Sequence, residues 1–434
     1  MKKAKMQRRA FLGTAAATVA ATGYFSSGEA LAGDSRSSLE KLNLAVIGIG
    51  GRGSANLGGV SKENIVALCD VDDQRAGKAY SRFSKARKFF DYRELFDKMG
   101  NQIDGAVIST PDHTHFHIAH RALSEGKHVY LEKPMAHNIW ECRELTRLAR
   151  EKKLATQLGV QRHTIPNMHR VVELIQSGAI GNVKEVHCWV DSNRGMTALD
   201  KKLHQVPGSL KYDLWLGPAK RRAKYHPSVT PYGWRFWWDY GTGETGNWGC
   251  HILDIPFWAL ELKYPTRVGA KGNLANPLST PKKMDSWMEF PATPKRPGVK
   301  LFWSQVKGGP EILKEKGLPA SGNNTLFVGE KGMLLCGFSK RQLLPKDRFA
   351  EYEPPEPFIA DSPGFHKEWI DFCKGGKPAT CHFDYSGPMA ETVLLGNVAY
   401  RSMSEFDWDA DSLKASSGIA QRFVKEDYAK GWEV

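Results

Sequence analysis

The sequence predicts an α/β protein that begins with a doubly wound parallel sheet and continues into a second domain. The first observation is a short apolar strand that runs directly into a glycine-rich turn and a helix near residue 50. The second is the alternation of further apolar strands with helical segments up to residue 152, which is typical of parallel sheets. The third is the length of 434 residues, since one core usually stops growing at roughly 250–300 residues.

The first 32 residues are predicted to be an export signal. Three lysines precede the twin-arginine pattern at residues 7–13, and an Ala- and Thr-rich run over 14–25 leads to the cleavage pattern Ala30-Leu31-Ala32. The apolar run is too short to cross about 30 Å of hydrocarbon. We therefore expect a cleaved signal, no permanent membrane span, and a protein exported folded to the periplasm or another extracytoplasmic space.

The glycine-rich turn predicts a dinucleotide-binding site of the Rossmann type. The apolar strand at residues 42–47 leads into Gly48-Ile49-Gly50-Gly51-Arg52-Gly53, which has the spacing G-x-G-x-x-G, and then into a helix. Gly48 permits the tight turn, Gly50 lets the backbone approach a pyrophosphate, and Gly53 allows the helix to pack closely on the strand. The helix N-terminus then faces the negative charge.

The acid at the end of the second strand indicates which dinucleotide binds. The strand at residues 65–69 ends at Asp70, 22 residues after Gly48. A carboxylate at this point accepts hydrogen bonds from the ribose hydroxyls and repels a 2′-phosphate. The sequence therefore favours NAD over NADP, although Arg75, one helical turn further on, weakens the discrimination.

Strands and helices continue to alternate through the first half of the chain. Ligands bind at the carboxyl ends of parallel strands, so we expect Thr110-Pro111 and Glu132-Lys133-Pro134, which each follow a strand, to lie at the cofactor. The predicted elements are a strand over 103–109, a helix through 118–124, a strand over 128–131 and a helix over 139–152.

Several motifs resemble those of the Gfo/Idh/MocA oxidoreductases. Residues 126–134 resemble the family signature G-K-H-V-x-x-E-K-P, and residues 110–115, which end at His115, are similar to the segment T-P-x-x-x-H. Further similar segments follow in the family's order, so that the resemblance extends over nearly all of the chain after the signal: 159–162, 175–181, 215–218, 240–243, 249–254 and 395–399.

The resemblance implies an NAD(P)-dependent oxidoreductase acting on a sugar or sugar-like polyol. It implies a Rossmann domain over 33–160 and, over 161–434, a C-terminal α/β domain with a large, mostly antiparallel open sheet that carries the substrate and allows a homo-oligomer. It places Lys133 beside the nicotinamide and His251, from the motif G-x-H-x-x-D, in the catalytic cleft. The candidate cofactor-binding residues are Gly48, Gly50, Gly51, Arg52, Gly53, Asp70, Thr110, Pro111, His115, Glu132 and Lys133.

Oxidation of a secondary hydroxyl requires a base within hydrogen-bond reach of the hydroxyl proton. Burial and the positive nicotinamide ring would lower the pKa of Lys133, and a histidine such as His251 titrates near neutral pH without help. Many relatives carry an acid four residues before the motif histidine, where this chain has Asn247. Since an amide cannot accept a proton, Lys133 and His251 are the candidates for proton transfer.

The candidate substrate ligands are Arg162, Trp238, Asn247 and Asp254. Trp238 belongs to the aromatic stretch 234–240, whose ring faces suit the C–H faces of sugars, although such clusters also form cores and interfaces. Arg235 in the same stretch can reach an acidic sugar. Asp254 is either an orienting partner for His251 or a helix residue. No ligand spacing predicts a metal site.

The net charge and the cysteine content limit the partners and cross-links that we expect. The formal net charge of +14 belongs partly to the signal and is otherwise scattered, so we expect no nucleic-acid partner outside the cytoplasm. The seven cysteines lack a C-x-x-C pair. Folding before export removes the oxidising environment that favours disulfides, so we expect buried thiols.

Two alternative functions remain open. One is a glycosidase that retains NAD and cycles through oxidation, elimination, water addition and re-reduction, which would suit a compartment without ready access to free NAD(H). The other is a non-catalytic sugar-binding scaffold, since a fold by itself does not establish activity.

Overall fold

The structure, a computed structural model, describes residues 40–195 and 198–434. The predicted export signal over residues 1–32 lies outside the described residues. Two sheets build the described part of the chain, a six-stranded sheet and a nine-stranded sheet. One continuous apolar core joins both sheets to the helices between them.

The first sheet and its helices alternate along the chain: β1 (Asn43–Ile47), α1 (Arg52–Gly59), β2 (Asn64–Cys69), α2 (Asp73–Arg82), β3 (Arg87–Phe89), α3 (Tyr92–Met99), β4 (Gly105–Ile108), α4 (Asp112–Ser124), β5 (His128–Leu131), α5 (Ile139–Glu151) and β6 (Thr156–Leu158). The strand order is β3-β2-β1-β4-β5-β6 and every neighbouring pair is parallel, which is the Rossmann arrangement. The predicted parallel sheet is therefore confirmed.

The sequence did not predict two of the strands of this sheet. The predicted strands are apolar runs, and β4 is buried at every position, as expected of a strand covered by helices on both faces. By contrast, β3 and β6 have three residues each, with the sequences RKF and TQL. Runs this short and polar have no recognisable hydrophobic period. They become strands because they form hydrogen bonds with a neighbouring strand.

The second sheet and its helices follow: α6 (Pro166–Gln176), β7 (Val183–Val190), α7 (Tyr212–Leu216), α8 (Gly243–Ala259), β8 (Arg267–Gly272), β9 (Met284–Phe290), β10 (Val299–Gln305), α9 (Glu311–Glu315), β11 (Thr325–Gly329), β12 (Met333–Cys336), β13 (Arg341–Leu344), α10 (Phe365–Cys373), α11 (Phe383–Ser402), β14 (Phe406–Asp409), β15 (Lys414–Ala415) and α12 (Gly418–Gln421). The strand order is β13-β12-β11-β7-β10-β9-β8-β14-β15. Only β7 and β10 are parallel among these described strands, so the predicted mostly antiparallel sheet is confirmed.

One face of the second sheet is buried against helices. Along β9 the buried residues alternate with half-exposed ones, as the two-residue period of a strand requires. The buried face meets α11, where a Cβ on Gly396 would lie 2.9 Å from Ser286 Oγ. Other sides of α11 contact α5 and α8. This helix therefore lies between the two sheets and couples them.

Helix α8 is fixed at its start to the parallel sheet. The Thr242 hydroxyl donates a hydrogen bond of 2.7 Å to Asp112 at the start of α4, and Asn397 of α11 donates one of 2.9 Å to the Thr242 carbonyl. Residues in the first turns of α8 therefore project toward the carboxyl ends of the parallel strands.

Two further observations concern the whole described region. None of its helices is both long and apolar enough to cross a membrane. All seven cysteines are free thiols and six of them are buried, as the sequence led us to expect.

Candidate active site

A cleft of about 580 Å³ lies along the carboxyl ends of β1, β2, β4 and β5 and extends to α8. Its volume is in the range of about 300–1,000 Å³ that is usual for small-molecule sites. The predicted site residues that line it are Gly48, Gly50, Gly51, Arg52, Asp70, Thr110, Pro111, Glu132, Lys133, Asn247 and His251. Residues at the carboxyl ends of the parallel strands and residues of α8 thus meet in one site.

The glycine-rich turn has the geometry that its sequence predicts. Gly48 has a φ of +76°, and a Cβ there would come within 2.8 Å of the Ser109 backbone. A Cβ on Gly53 would lie 1.7 Å from the Gly48 carbonyl oxygen, so helix and strand approach too closely for any side chain. Gly53 is therefore a packing residue behind the cleft. Gly51 and Arg52 line the cleft where α1 begins, at the end of the helix whose dipole favours an anion.

Asp70 lies in the cleft at the end of β2. Its carboxylate accepts backbone hydrogen bonds from Ile49 (2.8 Å) and Asp72 (3.0 Å). Burial raises the pKa of this carboxyl, and the backbone donors oppose the shift. The contacts orient the carboxylate beside the glycine-rich turn, in the position of a ribose acceptor. Arg75 lies over the same turn, since a Cβ on Gly50 would be 3.1 Å from its Nε.

Glu132 organises the floor of the cleft. Its Oε1 accepts hydrogen bonds from Arg52 (3.1 Å), Asn56 (2.9 Å) and Gln161 (2.7 Å). Because these side chains already satisfy the buried carboxylate, its role is to hold Arg52 and Gln161 in place. Glu132 thus lines the site and positions its neighbours.

His115 is a support residue that lies behind the cleft. Its Nδ1 lies 2.8 Å from the Pro134 carbonyl oxygen and its Nε2 lies 2.8 Å from that of Thr110. The ring therefore connects the segments that follow β4 and β5. The prediction that His115 binds the cofactor directly is not supported by this position, because its ring is 1% exposed and both nitrogens face the backbone.

Lys133 and Asn247 are in direct contact. Lys133 Nζ lies 2.5 Å from the Asn247 carbonyl oxygen and 3.1 Å from Asn247 Oδ1. Burial lowers the pKa of Lys133, against the opposing charges of Glu132 and Asp112. A neutral lysine amine has two N–H donors and one lone pair. With both donors directed to Asn247, the lone pair is left to accept a proton from a substrate.

The orientation of the Asn247 amide is set by a buried acid. Asn247 Nδ2 donates a hydrogen bond of 2.8 Å to Glu244 Oε2, which leaves Oδ1 for Lys133. The other oxygen of Glu244, a residue with no exposed surface, accepts from Ser192 (2.6 Å) and pairs with Arg194. This Arg194–Glu244–Asn247 chain positions the lysine.

His251 is held neutral beside Lys133. Burial lowers the pKa of His251 well below its ordinary value, and the charges of protonated Lys133, of Arg162 and of Arg52 lower it further. Its Nδ1 is buried and has no hydrogen-bond partner within the described part of the chain. A neutral imidazole in the cleft can hold a hydroxyl by hydrogen bonding, while its lowered pKa makes it a weaker proton acceptor than Lys133.

Two of the predicted substrate ligands lie elsewhere. Asp254 is fully buried, 3.0 Å from His163 Nδ1 and within 2.7 Å of the Tyr385 hydroxyl, so it orients His163 and not His251. Trp238 is also buried outside the cleft, where its Nε1 donates to the Asn276 carbonyl oxygen at 3.0 Å. As substrate ligands both predictions were wrong, because these side chains turn into the core. The alternatives given for them hold, since Asp254 is a residue of helix α8 and Trp238 belongs to the apolar core.

Arg162 lies next to the site without lining it. Its guanidinium is 4.0 Å from the ring centroid of Phe338 and 5.2 Å from that of Trp248. Burial between these rings lowers the pKa of Arg162. Its effect on the cleft is electrostatic, through His251.

The sequence did not identify several of the cleft residues as site residues, among them Asp112, Thr230, Tyr232 and Trp432. Arg235, named from the sequence as able to reach an acidic sugar, also lines the cleft, with its guanidinium 4.2 Å from the ring centroid of Trp234. The aromatic stretch 234–240 was the available signal for this wall. Trp432 lies far along the chain, and nothing in its local sequence indicates the cleft.

Models of the Gfo/Idh/MocA family match two parts of the chain. The model described as "Oxidoreductase family, NAD-binding Rossmann fold" matches residues 42–160, and the one described as "Oxidoreductase family, C-terminal alpha/beta domain" matches residues 169–272. Together they span just over half of the 434 residues.

Curated relatives and solved structures are similar over different extents. An inositol 2-dehydrogenase of Rubrobacter xylanophilus is 32% identical over 157 residues, which are 34% of this chain and 43% of the relative. One of Salmonella typhimurium is 28% identical over 34% of this chain and 45% of its own length. The chain thus matches less than half the length of these relatives. The WlbA dehydrogenase of Bordetella pertussis, solved with NADH and UDP-GlcNAcA, has a similar fold, with a TM-score of 0.61 and 15% identity over 86% of this chain and all of that one.

Proposed function

Since the chain belongs to the Gfo/Idh/MocA family of oxidoreductases, we propose that it is an exported NAD-dependent enzyme that interconverts a secondary hydroxyl and a ketone on a sugar or sugar-like polyol. The observation that carries this proposal is the meeting of Lys133, Asn247 and His251 in the cleft that also contains the glycine-rich turn and Asp70. The similarity to inositol 2-dehydrogenases supports a polyol or sugar substrate.

The cleft residues fit a nicotinamide dinucleotide. The side-chain-free turn at Gly48 and Gly50 leaves the backbone open to a pyrophosphate, and Asp70 offers carboxylate oxygens to a ribose. Bound NAD supplies the acceptor for the hydride that leaves the substrate carbon. The chain supplies the rest of the chemistry near Lys133.

Lys133 is assigned as the group that accepts the proton of the substrate hydroxyl. Its neutral amine accepts the hydroxyl proton through the lone pair that Asn247 leaves free. His251, neutral in the cleft, holds the substrate hydroxyl by a hydrogen bond. In the reverse direction the same lysine returns the proton to the alkoxide.

The NAD-retaining glycosidase is the second candidate. It is favoured by Asn247, which removes an acid that many relatives carry, and by the enclosure of the cleft. It would use the same cofactor site. The two candidates differ in their products, because a dehydrogenase accumulates NADH and a cycling glycosidase does not.

The experiment uses protein purified from the exported fraction. The nucleotide released by denaturation is identified by mass spectrometry, and the native protein is tested on sugars, polyols and glycosides. We expect bound NAD(H) and net NADH formation that matches the oxidised product. Glycoside cleavage without net NADH, with solvent deuterium entering beside the oxidised carbon, would establish the glycosidase. Bound nucleotide with no turnover across the panel would leave a sugar-binding scaffold.

Export and assembly are part of the proposal. The twin-arginine pattern at residues 7–13 supports export in the folded state. On the outer face of the second sheet, half-exposed Trp287 and Phe302 support a homo-oligomer through that face. Cell fractionation tests the first point and sedimentation velocity the second.

A further inference from the structure

A segment of the second domain crosses the mouth of the cleft beside Asp70. We call residues 209–217 the strap. The Asp73 N–H donates to the Ser209 carbonyl oxygen at 3.1 Å, and the Lys211 N–H donates to that of Val71 at 2.8 Å. Asp72 and Leu210 form an antiparallel bridge between these two hydrogen bonds. The loop after β2, which carries the ribose acid, is therefore tied to the second domain by main-chain hydrogen bonds.

The strap is anchored by its own apolar cluster. Leu210, Trp215 and Leu216 pack with Trp234 and Tyr240, and all five are buried. His113 of α4 is enclosed in the same place, with its Nε2 3.0 Å from the Trp215 carbonyl oxygen and its Nδ1 3.2 Å from that of Tyr240. This packing resists movement of the strap away from the parallel sheet.

Trp432 adds a wall to the same end of the cleft. Its carbonyl oxygen accepts a hydrogen bond of 2.9 Å from His117 Nε2, and the Arg93 guanidinium lies 4.4 Å from its ring centroid. The Tyr92 ring centroid is 6.3 Å away. Both aromatic residues line the cleft together with Leu214 of the strap.

These residues lie where the base of the nucleotide belongs. An acid after β2 binds the adenosine ribose, so the adenine lies beyond Asp70, toward the end of β3 and the start of α3. The cleft lining there includes Phe90 and Tyr92. Aromatic and aliphatic walls suit the flat, apolar faces of a purine.

We propose that Tyr92, Leu214 and Trp432 form the adenine subsite, and that the strap encloses the adenosine so that NAD(H) leaves only after the strap opens. The inference rests on the NAD-binding part of the proposed function. It makes the nucleotide a resident group that exchanges slowly, and it assigns one wall of the adenine subsite to the second domain.

The first test measures NADH release. Protein loaded with NADH is mixed with excess NAD⁺, and the loss of nicotinamide fluorescence gives the dissociation rate. We expect Trp432→Ala to release NADH roughly 10- to 100-fold faster, the range expected from losing one base–aromatic contact. Trp432→Phe should stay within about threefold of the wild type on the same grounds. Phe358→Ala, which removes an exposed aromatic ring that does not line the cleft, is the control and should release NADH at the wild-type rate.

The second test breaks one strap hydrogen bond without removing a wall of the site. Lys211 has a φ of −81°, which proline can adopt, so Lys211→Pro removes mainly the N–H that binds Val71. Lys211→Ala keeps that N–H and is the matched control. Both variants lose the contact of Lys211 Nζ with the Phe90 ring, 5.0 Å from its centroid, so the difference between them reports the hydrogen bond. We expect the proline variant to release NADH faster than the alanine variant.

The outcomes distinguish a failure of the proposed cofactor from a failure of the proposed adenine subsite and strap. A wild-type protein that binds neither NAD(H) nor NADP(H) overturns the proposed cofactor and this subsite with it. A protein that binds NADH, and whose Trp432→Ala and Lys211→Pro variants release it at the wild-type rate, overturns the subsite and the strap while leaving the proposed function intact.

Discussion

At the scale of the residue, Lys133 owes its chemistry to its surroundings. A lysine amine in water is protonated at neutral pH, with a pKa of about 10.4. Burial in the cleft penalises the charged form and lowers this pKa. Asn247, whose two oxygens face the amine, occupies both donors of the neutral form. These surroundings favour the neutral form of the amine, which is the form that the proposed proton transfer requires.

The first prediction concerns Lys133→Met. Loss of the proton acceptor should lower kcat by roughly 10²-fold or more, a usual contribution of general acid–base catalysis. Bound nucleotide should remain. In the wild type, kcat/KM for alcohol oxidation should rise with pH as Lys133 loses its proton. Because the pKa of Lys133 is lowered, the rise should level off before the ordinary lysine pKa of about 10.4 is reached. The variant should lack that rise, and near-normal kcat on a confirmed substrate would exclude Lys133 as the base.

The second prediction concerns Asn247→Asp. The sequence alone suggests that this change restores a useful acid. The structure indicates otherwise, because Asn247 Nδ2 lies 2.8 Å from Glu244 Oε2, and a second carboxylate there meets a like charge. The added negative charge also stabilises protonated Lys133. We expect slower oxidation at neutral pH and a rate profile displaced to higher pH. Asn247→Ser, which adds no charge, is the control, and a faster Asp variant at pH 7 would refute the assignment.

At the scale of the element, α5 and α11 are joined by a buried ion pair. Arg143 donates two hydrogen bonds of 2.8 Å to Glu391, whose side chain is 1% exposed. Burial raises the pKa of Glu391, and Arg143 opposes the shift. The pair fixes α11 against the Rossmann domain, and α11 in turn supports α8, which carries Asn247 and His251.

The third prediction follows from this contact. Arg143→Met leaves Glu391 buried without its partner and should lower the free energy of unfolding by about 3–5 kcal/mol, measured by urea denaturation. The double variant Arg143→Met/Glu391→Met should recover most of that loss. Lys314→Met removes the exposed pair with Glu311 and serves as the control, with little expected change. Equal losses in the single and double variants would argue against an unpaired buried charge as the cause.

At the scale of the whole molecule, buried histidines make the fold sensitive to acid. Burial lowers the pKa of His113 to about 3, and its contacts with two carbonyl groups offset only part of the shift. In the unfolded chain a histidine has a pKa of about 6.5. Below that value the unfolded chain binds a proton at this position and the folded chain does not. Stability is therefore complete above about pH 6.5 and falls as the pH drops toward the folded-state value.

The fourth prediction isolates this residue. In His113→Gln the free energy of unfolding should depend less on pH, and the difference in slope from the wild type should approach about 1.4 kcal/mol per pH unit well below pH 6.5. Urea titrations between pH 5 and pH 7.5 provide the slopes. Other buried groups, such as Glu391, titrate in both proteins and cancel in the comparison. Parallel slopes would show that His113 takes up a proton over the same pH range in the folded and unfolded chains, which would contradict the lowered pKa.

The sequence by itself determined the parallel sheet, the glycine-rich turn and Asp70. Each depends on contacts within a few residues: an apolar run makes a buried strand, a turn with φ near +76° needs glycine, and a strand end points to the cleft. The second sheet and the two catalytic candidates were accessible through the family resemblance.

Only the tertiary structure decided which distant side chains complete the site. His163 and Asp254 pair across 91 residues, and His117 holds Trp432 across 315. A local period says which face of a helix is apolar, but not which other element will cover it. For that reason the side chains of Asp254 and Trp238 lie in the core and not in the cleft. Glu244, the strap and Trp432 were not predicted as parts of the site, because only the packing of the second domain on the first brings them there.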